Sequence, residues 1–400
     1  MRRDQGISSA WSFLLGFALL TLIVPGVLIG PAHAIRIIAS AVAGTVMQGA
    51  STGATGVPVH QLPVVDLQLK DDVLVHEGVH FPIEHQPITN GHGIRSVAKG
   101  NSPFGAFDRF TITRPRNSDV IGGTLANWVA GRMGVAVPYK RLVQLQTDGD
   151  DAGIHEVTEA VTGEYEMDRN LTGSSVAVFR SDRSQITEGK DPWRDRSHWT
   201  AVGLEDEEAA ERFGELIGIL NDSLITMAER RAQLEALIDA EAFNLYHAAV
   251  RVLGVPAEEW IGTALVLSPR TGLFYPVLID APLVPGEGPP ITTGEHDLLA
   301  TRMMDISDWR TQRDAFVREA ITALHAGGEF NVKLEALAQK VAPSLAPAAQ
   351  GRRPLFSMAD PDRSVALEWS SDATARRVAA YWDQLSISAA TETGANITVP

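Results

Sequence analysis

The chain has 400 residues, 44% of them hydrophobic and 21% charged, a balance that belongs to folded globular proteins and excludes a disordered tail. Its net charge is −15 and no Lys/Arg-rich block interrupts it, which argues against nucleic acid as a partner. It has no cysteine, so disulfide frameworks, thiolate metal sites and a cysteine nucleophile are all removed from consideration.

The N-terminus carries the only reading of compartment. Arg2 and Arg3 precede an uncharged apolar run from Phe13 to Ile29, and Ala32-His33-Ala34 is a small-x-small triplet of the kind signal peptidase accepts. Residues 1–34 therefore read as a signal peptide or membrane anchor, with residues 11–31 as the anchoring segment. An exported protein is expected, whether periplasmic, membrane-anchored or secreted. Residues 35–62, rich in Gly, Ala, Ser and Thr, read as a flexible spacer.

The folded body is expected to start near Pro63. Short β-branched runs such as Val64-Val65-Asp66-Leu67 and Phe110-Thr111-Ile112-Thr113 alternate with turn residues, as antiparallel strands do. Asn117-Ser118-Asp119 is positioned to cap a helix that runs to about Met133 and stops at Gly134. Leu142 to Leu145 and Ile154 to Val157 flank Asp148-Gly149-Asp150-Asp151, the composition of a hairpin turn, and a further strand follows at Ser175 to Phe179. Between 204 and 253, Phe213, Leu216, Ile217, Leu220 and Leu224 recur at helical spacing before a second helix centred on Phe243 and Tyr246. A hairpin then joins Ala264-Leu265-Val266-Leu267 to Leu273–Asp280 and ends on a carboxylate, with helices expected at about 309–326 and 372–385. Strands first and helices later indicate an α+β fold. The boundaries expected are a main domain over 63–345 and a C-terminal helical extension and tail over 346–400.

Two patterns bear on chemistry. His76-Glu77-Gly78-Val79-His80 satisfies the two-histidine spacing of zinc hydrolases, in which a helix brings both imidazoles and the glutamate to one face. Here Val73-Leu74-Val75 before it, Gly78 within it and Pro82 after it favour a strand and its end. The second pattern is spread along the chain. Gly100-Asn101-Ser102 is a loop feeding a strand at Arg109-Phe110; Gly153 to Glu159 is an acidic hairpin strand; Ile238-Asp239-Ala240-Glu241-Ala242-Phe243 leads a helix; Glu259-Trp260 follows it; and Ser268 to Asp280 closes a hairpin.

In that order and spacing the segments resemble the spore-coat CotH family of atypical, secreted protein kinases, over roughly residues 63–385. The resemblance implies a divergent two-lobed protein-kinase-like fold, with an N-terminal β-rich lobe and a C-terminal helical lobe. It implies binding of ATP with Mg²⁺ or Mn²⁺ and transfer of the γ-phosphoryl group to a hydroxyl of a protein substrate. By that likeness Asp280 is the metal ligand and Glu259 the catalytic carboxylate. Asn101, Ser102, Arg109, Glu159 and Arg180 would bind the nucleotide. The chain departs from the family's pattern in four places, one of them Arg180, where the family usually has a lysine. Phe107-Asp108 replaces paired lysines, Glu259 replaces an aspartate, and Gly262, Thr263 and Ala264 stand where an asparagine is expected. Those departures open the alternative of a catalytically inactive envelope scaffold or binding protein. A zinc-dependent hydrolase using His76, Glu77 and His80 is the third reading.

Overall fold

The computed structural model describes residues 62–69, 71–87, 93–98, 103–104, 107–115, 120–162, 177–181, 191–202, 207–255, 261–281, 283, 297–345 and 371–392. All belong to one compact unit, Val57–Pro400. The expected signal segment, and the expected spacer as far as residue 61, lie outside the described residues; Leu62, expected to end the spacer, is instead buried in the core.

Seven strands form a closed barrel. They are β1 (Val64–Gln68), β2 (Val73–His76), β3 (Val79–Pro87), β4 (Gly93–Ala98), β5 (Arg109–Thr113), β6 (Lys140–Thr147) and β7 (Asp150–Glu159). The order around the barrel is β1-β2-β3-β4-β5-β7-β6. Neighbours pair antiparallel except at the seam, where β1 and β6 run parallel with Val65 opposite Leu145. Because side chains alternate across a strand, one set points inward. Val65, Leu67, Leu74, Ile83, Ile94, Phe110, Ile112, Val143, Leu145 and Val157 fill the interior with no exposed surface.

Two-residue turns fix two of the hairpins. Glu77-Gly78 joins β2 to β3 with φ of 52° and 78°, and Asp148-Gly149 joins β6 to β7 with φ of 50° and 84°. Paired positive φ values match the right-handed twist of the flanking strands, which is why an acidic residue followed by glycine recurs at both.

Between β5 and β6 the chain makes helix α1 (Gly122–Arg132), whose buried face includes Leu125, Ala126 and Val129. After the barrel come β8 (Val178–Ser181), β9 (Trp199–Val202), α2 (Glu207–Asn221), α3 (Met227–Glu235) and α4 (Ala240–Leu253). The hairpin β10 (Gly262–Leu267) and β11 (Phe274–Asp280) completes a second sheet ordered β11-β10-β8-β9. Helices α5 (Leu298–Met304), α6 (Ser307–Ile321), α7 (Glu329–Leu345) and α8 (Ser371–Glu392) follow.

The expected two-lobed, kinase-like fold is corrected by this architecture. The early strands and the Leu142–Val157 hairpin do not form an open sheet in a separate lobe; they close on one another through the β1–β6 seam. One apolar core then runs from Leu142 of the barrel through α1 and α4 to Leu278 of β11 and to Tyr381, Trp382 and Leu385 of α8. Strand and helical parts share that core, so the chain is not divided into a β lobe and a helical lobe.

Candidate functional site

Three charged side chains meet on the outside of the barrel, where the second sheet approaches it. Lys140 opens β6. Tyr139, Arg141 and Val143 point toward the interior, which sends Lys140 outward. Glu156 on β7 lies opposite Leu142 and Thr113 and also points outward. Asp280 ends β11 opposite Gly262, where the register of the hairpin shifts.

The approach of β11 is built by backbone. The segment before β6 runs beside it, with Ala136 bridging Val277 in parallel and the Leu278 amide donating to the Ala136 carbonyl at 2.9 Å. Lys140 Nζ consequently lies 3.7 Å from Asp280 Oδ1 and 3.8 Å from Glu156 Oε2. The lysine side chain is 5% exposed, Glu156 10% and Asp280 30%, so a buried cation is shared between one sheltered carboxylate and one that reaches solvent. Glu156 is held from its other side by the Thr124 hydroxyl, which donates to Oε1 at 3.1 Å.

The residues singled out in the sequence are distributed differently. Asp280 stands in the cluster. Glu159, three residues beyond Glu156, has the opposite parity and turns inward, where its Oε2 accepts the Tyr139 amide at 2.7 Å. Arg109 starts β5 on the outer face, paired with Val97. Arg180 is half-buried on β8, between Thr200 of β9 and Ala264 of β10. Asn101, Ser102 and Glu259 lie outside the described residues.

The loop carrying Asn101 and Ser102 is closed at its base by the Ala98 amide, which donates to the Asp108 carbonyl at 2.8 Å. Its flanking aromatics enter the barrel. Phe104 stands edge-on to Phe110 at 4.9 Å, Phe107 lies 5.1 Å from Tyr139, and the Arg141 guanidinium sits 5.5 Å over the Phe104 ring.

Lys140 was not among the sequence candidates. A single lysine opening a strand carries no motif. The available signal was parity, since Lys140 and Glu156 fall on the opposite side of their strands from Val143, Leu145 and Val157.

The zinc pattern resolves into a hairpin. Glu77-Gly78 is its turn, His76 pairs with Val79, and His80 pairs with Val75. His76 and His80 therefore project from opposite faces of the sheet and cannot share an ion. His76 faces inward beside Arg141, 3.4 Å from its Nη2; burial first, and the Arg141 charge second, hold its pKa below the ordinary histidine value. Among the described residues no group of three or more His, Asp or Glu is placed to hold a metal.

Neither a protein-family model nor a curated protein matches this chain.

Proposed function

We propose that the chain is an exported phosphotransferase that uses ATP and a divalent cation to phosphorylate a protein hydroxyl. The observation that carries this reading is the set formed by Lys140, Glu156 and Asp280, and it stands without a kinase-like fold. Phosphoryl transfer is mostly positioning and charge neutralisation, and a lysine oriented by a glutamate beside a metal-holding aspartate is one of the arrangements that supply both.

The donor set suits Mg²⁺ held in that manner. Mg²⁺ binds through one or two carboxylates together with substrate phosphates and keeps several waters, so it needs no dedicated cage. Asp280, the more exposed carboxylate, would hold it with nucleotide phosphates, and Glu156 would keep Lys140 aimed. The ion, when bound, neutralises charge on the phosphate oxygens. Lys140 then contributes a point charge to the same oxygens, in a setting sheltered enough to strengthen it. Glu259 takes the acceptor side by its resemblance to a catalytic-loop carboxylate.

A second reading, a non-catalytic envelope scaffold, draws support from the loop. Phe104 and Phe107 occupy the barrel interior beside the segment expected to cradle phosphate. Thermal unfolding with ATP, with Mg²⁺ or Mn²⁺, and with both separates the two. A ligand at 100 times its Kd that binds only the native state stabilises by about 2.7 kcal/mol. The phosphotransferase reading expects a shift that needs nucleotide and metal together and vanishes in Asp280→Ala. A folded protein with no shift under any condition leaves the scaffold.

A further inference from the structure

We propose that Gly123 and Thr124, in the first turn of α1, are positioning residues that aim Glu156 at Lys140. The proposal rests on the reading of Lys140 as the phosphate cation, and its test is arranged so that the two can fail separately.

The two oxygens of Glu156 are divided between neighbours. Oε1 accepts the Thr124 hydroxyl at 3.1 Å in a buried contact, and Oε2 faces Lys140 Nζ at 3.8 Å. A carboxylate fixed at one oxygen presents the other in one direction. Thr124 therefore sets where the negative charge seen by Lys140 lies. The hydroxyl reaches it because α1 starts at Gly122, directly over the outer face of β7.

Gly123 sets the other limit. A Cβ at this position would lie 2.9 Å from Oε1, 3.3 Å from Oε2 and 3.5 Å from Cδ of Glu156. The carboxylate thus rests against the bare α-carbon of a helical residue. Glycine costs about 1 kcal/mol relative to alanine in a helix interior and less in the first turn, so helix propensity does not favour glycine here. Any added side-chain atom must push the carboxylate, which is the movable partner, off its present line. The first turn of a helix also leaves amide groups without intrahelical acceptors, which favours an anion at that point.

A merely structural role makes a different prediction. If Thr124 only ties α1 to the barrel, losing its hydroxyl changes stability and leaves the environment of Lys140 as it was. Gly123→Ala is the sharper variant, because helix propensity acts in favour of stability while the steric contact acts against the position of Glu156.

The experiment measures acetylation of Lys140 by acetic anhydride at fixed pH, mapped by peptide mass spectrometry and normalised to the other lysines of the same sample. It uses the full chain as wild type, Gly123→Ala, Thr124→Val, Thr124→Ser and Glu156→Gln, with circular dichroism to verify folding. The affinity of each form for MgATP is measured alongside. A sheltered lysine that loses an aligned carboxylate is held less firmly and is more open to the reagent. Gly123→Ala, Thr124→Val and Glu156→Gln are each expected to raise Lys140 acetylation about three- to tenfold, the effect of one charge-assisted contact. Thr124→Ser, which keeps the hydroxyl, is expected to label as wild type. MgATP affinity falls in the same three variants. Wild-type labelling in folded Gly123→Ala and Thr124→Val overturns the proposal, and so does wild-type labelling in Glu156→Gln. The expected labelling changes without MgATP binding by any form overturn the phosphate role of Lys140 and leave the positioning roles supported.

Discussion

The Leu278 amide donates to the Ala136 carbonyl at 2.9 Å, and this single backbone bond lies where the second sheet is sewn to the approach of β6. Four residues after Ala136 comes Lys140, and two after Leu278 comes Asp280. The candidate site is therefore assembled by backbone registration between segments more than a hundred residues apart.

The first prediction concerns the charge at the centre of that site. Lys140→Met removes the partner of a sheltered Glu156 and is expected to cost about 3 kcal/mol, as removal of one member of a buried ion pair does. The double variant Lys140→Met/Glu156→Gln is expected to recover most of the loss. Urea unfolding of the single and double variants measures both.

The second concerns pH. Burial lowers the His155 pKa from 6.5 to about 4, with its Nδ1 beside the Gly153 carbonyl inside the barrel. The unfolded chain takes up a proton near pH 6.5 that the folded chain refuses until about 4. Stability from this group is thus present in full above pH 6.5 and is lost as pH falls through that window, by up to about 3 kcal/mol. His76, lowered for the same first reason, adds a slope of the same sign. Chemical unfolding between pH 7 and 4 should show the decline, with a shallower slope in His155→Leu.

The third concerns the C-terminal helix. Trp382 is 1% exposed, donates its indole N–H to the Val252 carbonyl at 2.8 Å and stands edge-on to Phe330 at 5.0 Å. Trp382→Ala is expected to cost about 3–5 kcal/mol. Calorimetric unfolding of this variant should show one cooperative transition at lower temperature; an unchanged midpoint would mean that α8 does not share the core.

The fourth concerns the two tight turns. Gly78 and Gly149 have φ of 78° and 84°, and a Cβ at either would meet open space within 4 Å, so backbone strain alone sets the cost of a side chain. Gly78→Ala and Gly149→Ala are each expected to lose about 1–2 kcal/mol, measured by urea unfolding.

These elements also mark what the sequence conveys. The Asp148-Gly149 turn between alternating strands was legible because turn chemistry and period are local. The same chemistry at Glu77-Gly78 was hidden under a metal-binding spacing, and only the pairing of His76 with Val79 separates the two histidines onto opposite faces. Barrel closure was not legible, since Val65 meets Leu145 across eighty residues and no local pattern encodes that seam. Asp280 was found as a carboxylate ending an apolar strand. Lys140 was missed because its meaning comes from Glu156 and Asp280, which tertiary structure brings to it. Likeness of motif points to Glu159 alone, and strand parity sends Glu159 and Glu156 to opposite sides of the barrel wall.

The most direct test of the account is calorimetric titration of MgATP into the purified wild-type chain, Asp280→Ala and Lys140→Met, each verified as folded. A saturable heat in the wild type that needs the metal and is lost in both variants is the result predicted. No binding to the wild type, or equal binding to all three forms, would contradict the assignment of Lys140, Glu156 and Asp280 as a phosphoryl-transfer site.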